Sequence, residues 1–357
     1  MTMDYIKETK DISEAIILWQ ASRLSLSKSY EKAPEILKVH SSVIGTLGNF
    51  SASIGKAKSK KTFNVSAIVA AALKNGTVLR YVAELPEDKR KVLYVDTEQS
   101  PYHCLKVMTR ILRMAGLPDD RDNENLEFLA LRKYTPEQRI RIVEQAIYNT
   151  PDIGLVIIDG IRDMVYDINS PGESTRIISK LMQWTDDRQI HIHTILHQNK
   201  GDENARGHIG TELNNKAETV LQVEKDKGNG DISHVSAIHI RAMDFEPFAF
   251  RINDKTLPEL IEGYKPETKK PGRPEEEKFD PYRHITEQHR IALEAAFGLK
   301  EEYGYKELED ALIKIYMSVG VKLNHKKAVS LITMLRNKRM IVQENGRKYT
   351  FMPDFHY

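Results

Sequence analysis

The sequence predicts an α/β protein with a mainly parallel sheet flanked by helices, followed by a smaller helical domain. Short apolar runs such as Val92–Val95 and Ile153–Ile158 alternate with helix-forming segments, which is typical of strands covered by helices on both faces. Several of these runs end in polar residues, where an open parallel sheet places its ligands. A charged, proline-rich stretch at 263–284 is predicted to be a linker between the two domains.

Length and composition restrict the class of protein. A chain of 357 residues with ordinary composition indicates a soluble protein of about two domains. No apolar run approaches the roughly 20 residues of a membrane span, and the N-terminus lacks the layout of a secretory signal. We therefore predict a cytoplasmic protein without a membrane partner. The single cysteine, Cys104, cannot form an internal disulfide, and no Cys/His spacing indicates a zinc site.

Residues 1–44 are predicted to be a helical segment and a lead-in to the main domain at 45–262. Residues 5–30 have a helical pattern. We expect its apolar stripe to be buried on the core or on a neighbouring subunit, and the stripe consists of Ile12, Ala15, Ile16, Leu18 and Trp19. From Pro34 to Ile44 the chain is predicted to be extended.

A phosphate-binding loop is the central prediction. The apolar run Phe50–Ile54 leads into Gly55-Lys56-Ala57-Lys58-Ser59-Lys60-Lys61-Thr62, and a helix-forming run follows. Because a helix start offers free backbone N–H groups and a positive dipole end, this arrangement suits a polyphosphate. Lys61 is predicted to reach the terminal phosphates and Thr62 to hold Mg²⁺. The other predicted loop contacts are Gly55, Ser59 and Lys60.

The loop departs from the usual pattern G-x-x-x-x-G-K-[ST], because Lys60 stands where that pattern has glycine. Glycine at this position permits close approach of the backbone to the phosphates. Lysine fits only if its side chain points away from the nucleotide, which leaves its backbone N–H available. The alternative is a basic surface loop in front of a helix.

Carboxylates follow two later strands. Glu98, just after Val92–Val95, is the candidate general base, because a carboxylate there can orient and deprotonate water aimed at a terminal phosphate. Alternatively, Glu98 only caps the following helix. Asp159 ends the strand Ile153–Ile158 and is predicted to bind Mg²⁺ directly or through water, as in the Walker B arrangement. Between these strands, a strand and a helix are predicted at Leu126–Leu131 and Pro136–Asn149.

Two further strand ends carry predicted site residues. The strand from Ile190 ends in His197 and Gln198, and Gln198 is favoured as a contact to the terminal phosphate. Alternatively, the histidines of this strand simply lie on the sheet. Arg241 ends one of two later strands that are predicted to be antiparallel, and it is the candidate arginine finger for a neighbouring subunit's nucleotide. The alternative for Arg241 is a solvated strand end.

Residues 285–357 predict three helices and a hairpin, the order of a winged-helix module. The helices are predicted at Ile285–Phe297, Lys306–Met317 and Asn324–Asn337, and Asn345-Gly346 is a hairpin turn signal. Positive charge collects on the third helix and the hairpin, which is typical of a surface that follows DNA phosphates. Alternatively, this surface binds protein. The predicted DNA contacts are Lys322, Lys326, Lys327, Arg336, Lys338, Arg339, Arg347 and Lys348.

With these residues assembled, the chain resembles the RecA-like ATPases of the RepA-type and DnaB-type hexameric helicase group. It is most similar to the AAA-family, RepA-like ATPases carried by mobilizable transposons and conjugative elements of Bacteroides-type bacteria. The resemblance covers roughly Ile36 to Glu259. The residues that carry it are Gly55–Thr62, Glu98, Asp159, His197, Gln198 and Arg241.

The resemblance implies a RecA-like P-loop ATPase core that assembles as a ring or filament, such as a hexamer, with ATP and Mg²⁺ at subunit interfaces and DNA in a central channel. By position, Lys61 and Thr62 take the phosphate and magnesium roles. Glu98 takes the role of base, Asp159 that of magnesium partner, and Arg241 that of finger.

Three functions follow as hypotheses. The first is an ATP-dependent DNA motor acting in replication, excision or mobilization of a mobile element. The second is a nucleotide-responsive DNA-binding regulator or loader without sustained unwinding, which the substitution at Lys60 favours. The third is a protein-interaction adaptor with a decayed ATPase core.

Overall fold

The computed structural model describes residues 13–198, 205, 207–264, 281, 286–318, 321–344 and 348–353. The chain divides into two units, Met1–Pro266 and Glu267–Tyr357. Each unit has its own buried apolar clusters. Among the described residues, no helix is both long and apolar enough to cross a bilayer.

The first unit is organised around a large sheet, for which the described residues supply nine strands. From one edge to the other they are β13 (Pro258–Ile261), β12 (Phe248–Ile252), β11 (Ile232–Ile240), β10 (Thr219–Lys225), β3 (Phe50–Gly55), β9 (His191–His197), β8 (Ile153–Asp159), β6 (Lys91–Asp96) and β7 (Leu126–Ala130). Neighbouring strands from β10 to β7 are parallel, and β11, β12 and β13 continue the sheet antiparallel. The predicted α/β fold with a mainly parallel sheet is confirmed.

Helices and a smaller sheet complete this unit. The helices are α1 (13–21), α2 (Lys61–Lys74), α3 (Pro101–Ala115), α4 (Pro136–Asn149), α5 (Pro171–Arg188) and α6 (Gly207–Lys216). The smaller sheet has the order β2 (Ser42–Thr46), β1 (Glu35–Val39), β5 (Tyr81–Ala83) and β4 (Thr77–Val78). The predicted division between residues 44 and 45 falls inside β2. This strand pairs with β1, and β1 pairs with β5, so residues on both sides of the predicted division belong to the small sheet.

Helix α2 is buried between the two sheets. Its residues from Asn64 to Leu73 are all buried, and it contacts β4 and β5 on one side and β3 and β6 on the other. The hydroxyl of Tyr81 donates to Oδ1 of Asn64 at 2.8 Å. A helix that is apolar nearly all round needs such a covered position. The start of α2 is therefore firmly placed at the carboxyl end of β3.

The N-terminal helix departs from the prediction. Residues 13–21 are helical, but Ile16, Leu18 and Trp19 are 46%, 62% and 61% exposed. Burial of this stripe on the core of the same chain is therefore not found for these side chains within the described residues, and burial on a neighbouring subunit stays a prediction. Ile12 lies outside the described residues.

The second unit consists of α7 (Thr286–Leu299), α8 (Tyr305–Ser318), α9 (His325–Asn337), β14 (Ile341–Glu344) and β15 (Lys348–Phe351). The two strands pair antiparallel. Helix α9 begins at its predicted cap, where Oδ1 of Asn324 accepts from the backbone N–H of Lys327 at 3.0 Å. The predicted turn at Asn345-Gly346 and most of the linker, residues 265–280, lie outside the described residues.

Candidate functional site

The predicted phosphate loop stands at the carboxyl edge of the large sheet. Strand β3 lies between two parallel neighbours, β9 and β10, and the loop at 56–60 joins it to α2. Lys61 is the first residue of α2, so the free N–H groups of the first helical turn lie next to the loop. The local sequence therefore folds into the strand, loop and helix start that phosphate binding requires.

A cleft of about 440 Å³ lies against this loop. It brings together the loop, the start of α2, one face of α3 and three strand ends. The lining residues are Lys58, Ser59, Lys60, Lys61, Thr62 and Phe63 from the loop and α2, Gln99, His103, Lys106, Val107 and Arg110 from α3 and the residues before it, and Glu98, Asp159, Ile195 and His197 from the strand ends. Six predicted site residues thus line one cleft.

The side chain of Lys61 is buried at the base of the loop. Its ammonium group donates to the carbonyl oxygens of Gly55 at 2.8 Å and Lys56 at 2.9 Å. Burial lowers the pKa of Lys61 to about 8, and the carboxylates of Asp159 and Glu98 oppose that effect. The side chain is therefore still mainly charged at neutral pH. It is a buried cation that donates to two carbonyl groups and to the imidazole of His197. Phosphate oxygens are stronger acceptors for it than these neutral groups.

The side-chain oxygens of Thr62 and Asp159 lie together beside Lys61. The hydroxyls of Thr62 and Tyr94 both donate to Oδ2 of Asp159, at 3.1 and 3.0 Å. Burial, with the nearby charge of Asp96, raises the pKa of Asp159 to about 7. Hydroxyl and carboxylate oxygens are the ligands that Mg²⁺ prefers, so these residues fit the ion. A bound cation would favour the ionised carboxylate.

The side chains of Glu98 and Lys61 both lie next to the imidazole of His197. Nδ1 of His197 lies 3.1 Å from Nζ of Lys61, and Nε2 lies 3.6 Å from Oε1 of Glu98. Because an ammonium group can only donate, Nδ1 accepts and Nε2 carries the proton. The imidazole lowers the pKa of Glu98 against the effect of burial. Glu98 is therefore ionised at neutral pH, as a group that accepts a proton from water must be.

Buried Asp96 holds the segment that carries Glu98. Its Oδ1 accepts from the backbone N–H groups of Glu98 at 3.0 Å and Gln99 at 2.7 Å, and its Oδ2 accepts from the Gln99 side chain at 2.7 Å. The sequence alone gives Asp96 no functional role. The signal was present, because an acidic residue that ends an apolar strand needs local donors.

Gly160 allows this segment to approach the end of β8. Its φ is +105°, and an added Cβ would lie 2.1 Å from Oγ1 of Thr97. That hydroxyl donates toward the carbonyl oxygens of Asp159 and Gly160 at 3.1 and 3.0 Å. The two strand ends that carry the candidate base and the candidate metal ligand are thereby joined.

A family model described as an AAA domain matches residues 31–203. The matched range contains the phosphate loop, Glu98, Asp159 and His197. This range of the chain is therefore similar to an AAA domain. Among solved structures, one titled "Crystal structure of the RadB recombinase" is similar at 15% identity and a TM-score of 0.41, covering 59% of this chain and 90% of that chain. No curated protein matches the chain. The similarity of residues 31–203 to an AAA domain agrees with the geometry of the cleft.

Gln198 does not line this cleft. It is 4% exposed, and its backbone N–H donates to the carbonyl oxygen of Gly55 at 3.0 Å. Successive strand residues point to opposite faces of a sheet, so His197 faces the cleft and Gln198 faces away. The sequence alone does not distinguish the two residues, because it does not fix the register of β9.

The other histidines of β9 lie on the sheet, away from the cleft. His191 and His193 are fully buried, and each contacts Oγ of Ser51 at 2.7 Å. Burial lowers the pKa of both rings, that of His193 to about 3. Both are therefore neutral, and the alternative of purely structural histidines applies to them but not to His197.

Arg241 lies near the amino-terminal end of β3, whereas the phosphate loop follows the carboxyl-terminal end of that strand. It follows β11, whose last residue, Ile240, pairs with Thr219 at the start of β10. The start of β10 in turn lies beside Ser51 at the start of β3. The Arg241 side chain is exposed and donates to the carbonyl oxygen of Lys216 at 3.4 Å. It does not take part in the cleft of its own chain.

The wall that α3 contributes to the cleft was missed. His103, Lys106 and Arg110 recur at spacings of three and four residues, which places them on one helix face. The guanidinium carbon of Arg110 lies 3.7 Å from the centre of the Phe63 ring. The spacing was visible in the sequence, but which face of α3 meets the cleft depends on its packing against α2.

The predicted DNA contacts of the second unit lie on its surface where they are described. Most are exposed, and Lys327 is half-buried; the exposed ones are Lys322, Lys326, Arg336, Lys338, Arg339 and Lys348. Lys348 forms an ion pair with Glu302 at 2.8 Å, so part of its charge is already neutralised. Arg347 lies outside the described residues.

Proposed function

We propose that the protein is an ATP-dependent motor on DNA, a RecA-like ATPase of the RepA-like helicase type that serves replication, excision or mobilization of a mobile element. One observation carries the proposal. The phosphate loop, the Thr62 and Asp159 pair and the ionised Glu98 converge on one cleft. Together they are the groups that phosphoryl transfer to water requires.

Each group has a defined task in this proposal. The N–H groups at the start of α2 and the ammonium of Lys61 bind the phosphates of ATP. Thr62 and Asp159 would hold Mg²⁺, and the bound ion would supply neutralisation of charge on the phosphate oxygens. Glu98 orients a water molecule and accepts its proton as the bond to the terminal phosphorus forms and the bond to the leaving phosphate breaks. His197 keeps the side chains of Glu98 and Lys61 in position.

Arg241 completes the site only in an assembly. Arg241 lies at the end of the strands opposite the phosphate loop, a position that supports contact between its guanidinium group and the nucleotide of a neighbouring subunit. A cation there stabilises charge on the transferred phosphoryl group. The assembly would be a ring or filament, with a hexamer as one form. Subunit contact would then control turnover.

The second unit is proposed to be a winged-helix module that binds DNA. Three helices followed by an antiparallel hairpin, and the exposed basic residues of α9, support this assignment. Phosphate contacts of this kind bind DNA without reading its sequence. The module would therefore localise the ATPase on DNA.

Steady-state ATP hydrolysis tests the motor, measured with no DNA, with single-stranded DNA and with duplex DNA. We expect DNA to raise turnover several-fold. Glu98→Gln is expected to lower kcat by roughly 100-fold or more, because general base catalysis contributes about 10² to 10⁴, while ATP affinity stays within a few-fold of the wild type. Glu87→Gln, an exposed carboxylate in the turn before β6, is the control. ATP binding without turnover above the Glu98→Gln level in every condition would contradict the motor.

The DNA surface is tested by replacing Lys322, Lys326 and Arg336 with alanine together. We expect weaker binding to all DNA sequences and a shallower dependence of affinity on salt, by roughly one unit of slope per lost phosphate contact. Fluorescence anisotropy at several salt concentrations measures both quantities. Lys314→Ala, an exposed lysine on α8 of the same unit, should change neither; equal effects of the two variants would count against this surface.

A regulator or loader without sustained unwinding is the second candidate function. Lys60 favours it, because this lysine has a left-handed backbone at the helix start and its side chain contacts Asp231. A loop anchored in this way suits slow turnover better than rapid cycling. A regulator is expected to bind duplex DNA equally well after Lys61→Ala, whereas a motor should lose DNA-stimulated hydrolysis.

A further inference from the structure

Lys60 has a backbone conformation that favours glycine. Its φ is 66° and its ψ is 30°, in the left-handed region, at the residue that caps α2. Residues with a Cβ adopt this region at a cost in free energy that glycine avoids. The chain nevertheless has lysine here. The side chain of Lys60 therefore starts from a backbone conformation in which few lysines are found.

The side chain of Lys60 leaves the cleft and contacts another part of the sheet. Its ammonium group donates to the backbone carbonyl oxygen of Asp231, in the turn at 226–231 that joins β10 to β11. Because β10 is the parallel neighbour of β3, this turn lies at the same sheet edge as the phosphate loop. Burial lowers the pKa of Lys60, and the Asp231 carboxylate opposes that effect.

The turn is held together by its own side chains. Oδ1 of Asp226 accepts from the backbone N–H groups of Gly228 and Asn229, both at 2.9 Å. Oδ1 of Asn229 accepts from the N–H of Asp231 at 3.0 Å. The hydroxyl of Tyr264, beyond β13, donates to Oδ2 of Asp226 at 2.6 Å. A displacement of Asp231 would therefore change the backbone conformation of the whole turn.

We propose that Lys60 is a positioning residue that couples the phosphate loop to the turn at 226–231, so that nucleotide bound at the loop stabilises the turn. The proposal rests on the proposed function in one respect, namely that nucleotide binds this loop. Phosphates that engage the loop N–H groups fix the backbone of Lys60. A fixed Lys60 then holds the carbonyl group of Asp231. The turn is exposed, so it would present the nucleotide state at the protein surface.

Lys58 provides a matched control within the same loop. Its φ is 64°, so Lys58→Gly relieves the same kind of backbone strain as Lys60→Gly. Its side chain is exposed and makes no hydrogen bond or ion pair with the described residues. Only the change at Lys60 removes the contact with the turn. Lys60→Arg keeps a long cationic donor and is the conservative variant.

The experiment is amide hydrogen exchange of residues 226–231 in the full chain, with and without a non-hydrolysable ATP analogue and Mg²⁺. In the wild type, the analogue is expected to slow exchange of the turn severalfold. In Lys60→Gly, with the analogue at a concentration that saturates the variant, we expect faster exchange of the nucleotide-free turn and no response to the analogue. Lys60→Arg should retain the wild-type response, and Lys58→Gly should leave exchange of the nucleotide-free turn unchanged.

Two results would overturn the coupling. One is a turn in Lys60→Gly that responds to nucleotide as the wild type does, and the other is a wild-type turn that does not respond although the analogue binds. Binding is measured separately with a fluorescent ATP analogue, and absence of wild-type binding would overturn the proposed function. In that event, hydrogen exchange of the nucleotide-free turn still tests the contact between Lys60 and Asp231. Equal exchange rates in Lys60→Gly and Lys58→Gly would exclude that contact.

Discussion

Replacement of Lys61 with alanine is expected to abolish ATP binding and turnover together. The ammonium group is buried at the base of the loop, within 3.1 Å of His197, and bonds from a charged donor contribute about 1.5 to 3 kcal/mol each. Loss of two such bonds to phosphates weakens ATP affinity by roughly 100-fold or more. Titration with a fluorescent ATP analogue measures the affinity, and phosphate release measures the turnover.

The control for this experiment is Lys56→Ala. Lys56 lies in the same loop, but its side chain is exposed and does not line the cleft, so we expect ATP affinity within a few-fold of the wild type. An unchanged affinity in Lys61→Ala would show that the loop does not bind phosphates through this lysine. Equal losses in both variants would indicate a general effect of positive charge and not a specific contact.

Asp159→Asn is expected to stabilise the fold while removing the response to Mg²⁺. Burial raises the pKa of Asp159 from 3.8 to about 7, so the protonated carboxyl stabilises the folded state below about pH 4. That contribution is lost as the pH rises through about 7. At pH 8 the wild type contains a buried carboxylate, which asparagine replaces with a neutral group of the same shape. We expect the free energy of unfolding at pH 8 to rise by roughly 1 to 3 kcal/mol.

Urea unfolding at pH 5 and pH 8, followed by the fluorescence of buried Trp184, measures this effect. The wild type should lose stability between the two pH values, and Asp159→Asn should lose less. ATP affinity of the variant should no longer depend on Mg²⁺. Asp88→Asn, an exposed position before β6, is the control. A variant that is less stable than the wild type at pH 8 would contradict the assigned pKa of Asp159.

The sequence predicts those parts of the fold whose signals are local. Helix α4 occupies Pro136–Asn149 as predicted, because a proline in its first turn and the capping box of Thr135 mark its start. The buried strands follow their apolar runs, and the loop between β3 and α2 follows its small and basic residues. Each of these features depends on neighbours a few positions away.

The parts that could not be predicted depend on contacts between distant segments. Which of His197 and Gln198 faces the cleft depends on the register of β9 against β3. The small sheet contains strands of two and three residues, which are too short to show alternation. The contact of Lys60 with Asp231 joins residues 171 positions apart. No local pattern carries such information.

The position of β3 in the sheet has a consequence for the synthesis of the chain. The phosphate loop follows residue 55, yet the two strands that flank β3 are β9 and β10, which end at residues 197 and 225. Pairing between segments so far apart is slow, and β3 has no neighbour in the large sheet until β9 has left the ribosome. While the residues between β3 and β9 are synthesised, the nascent chain therefore carries an unpaired strand whose residues are all buried in the folded protein, which exposes it to aggregation. Under the proposed function, ATP would stabilise only the completed sheet, so nucleotide would help the chain at the end of folding and not at its beginning.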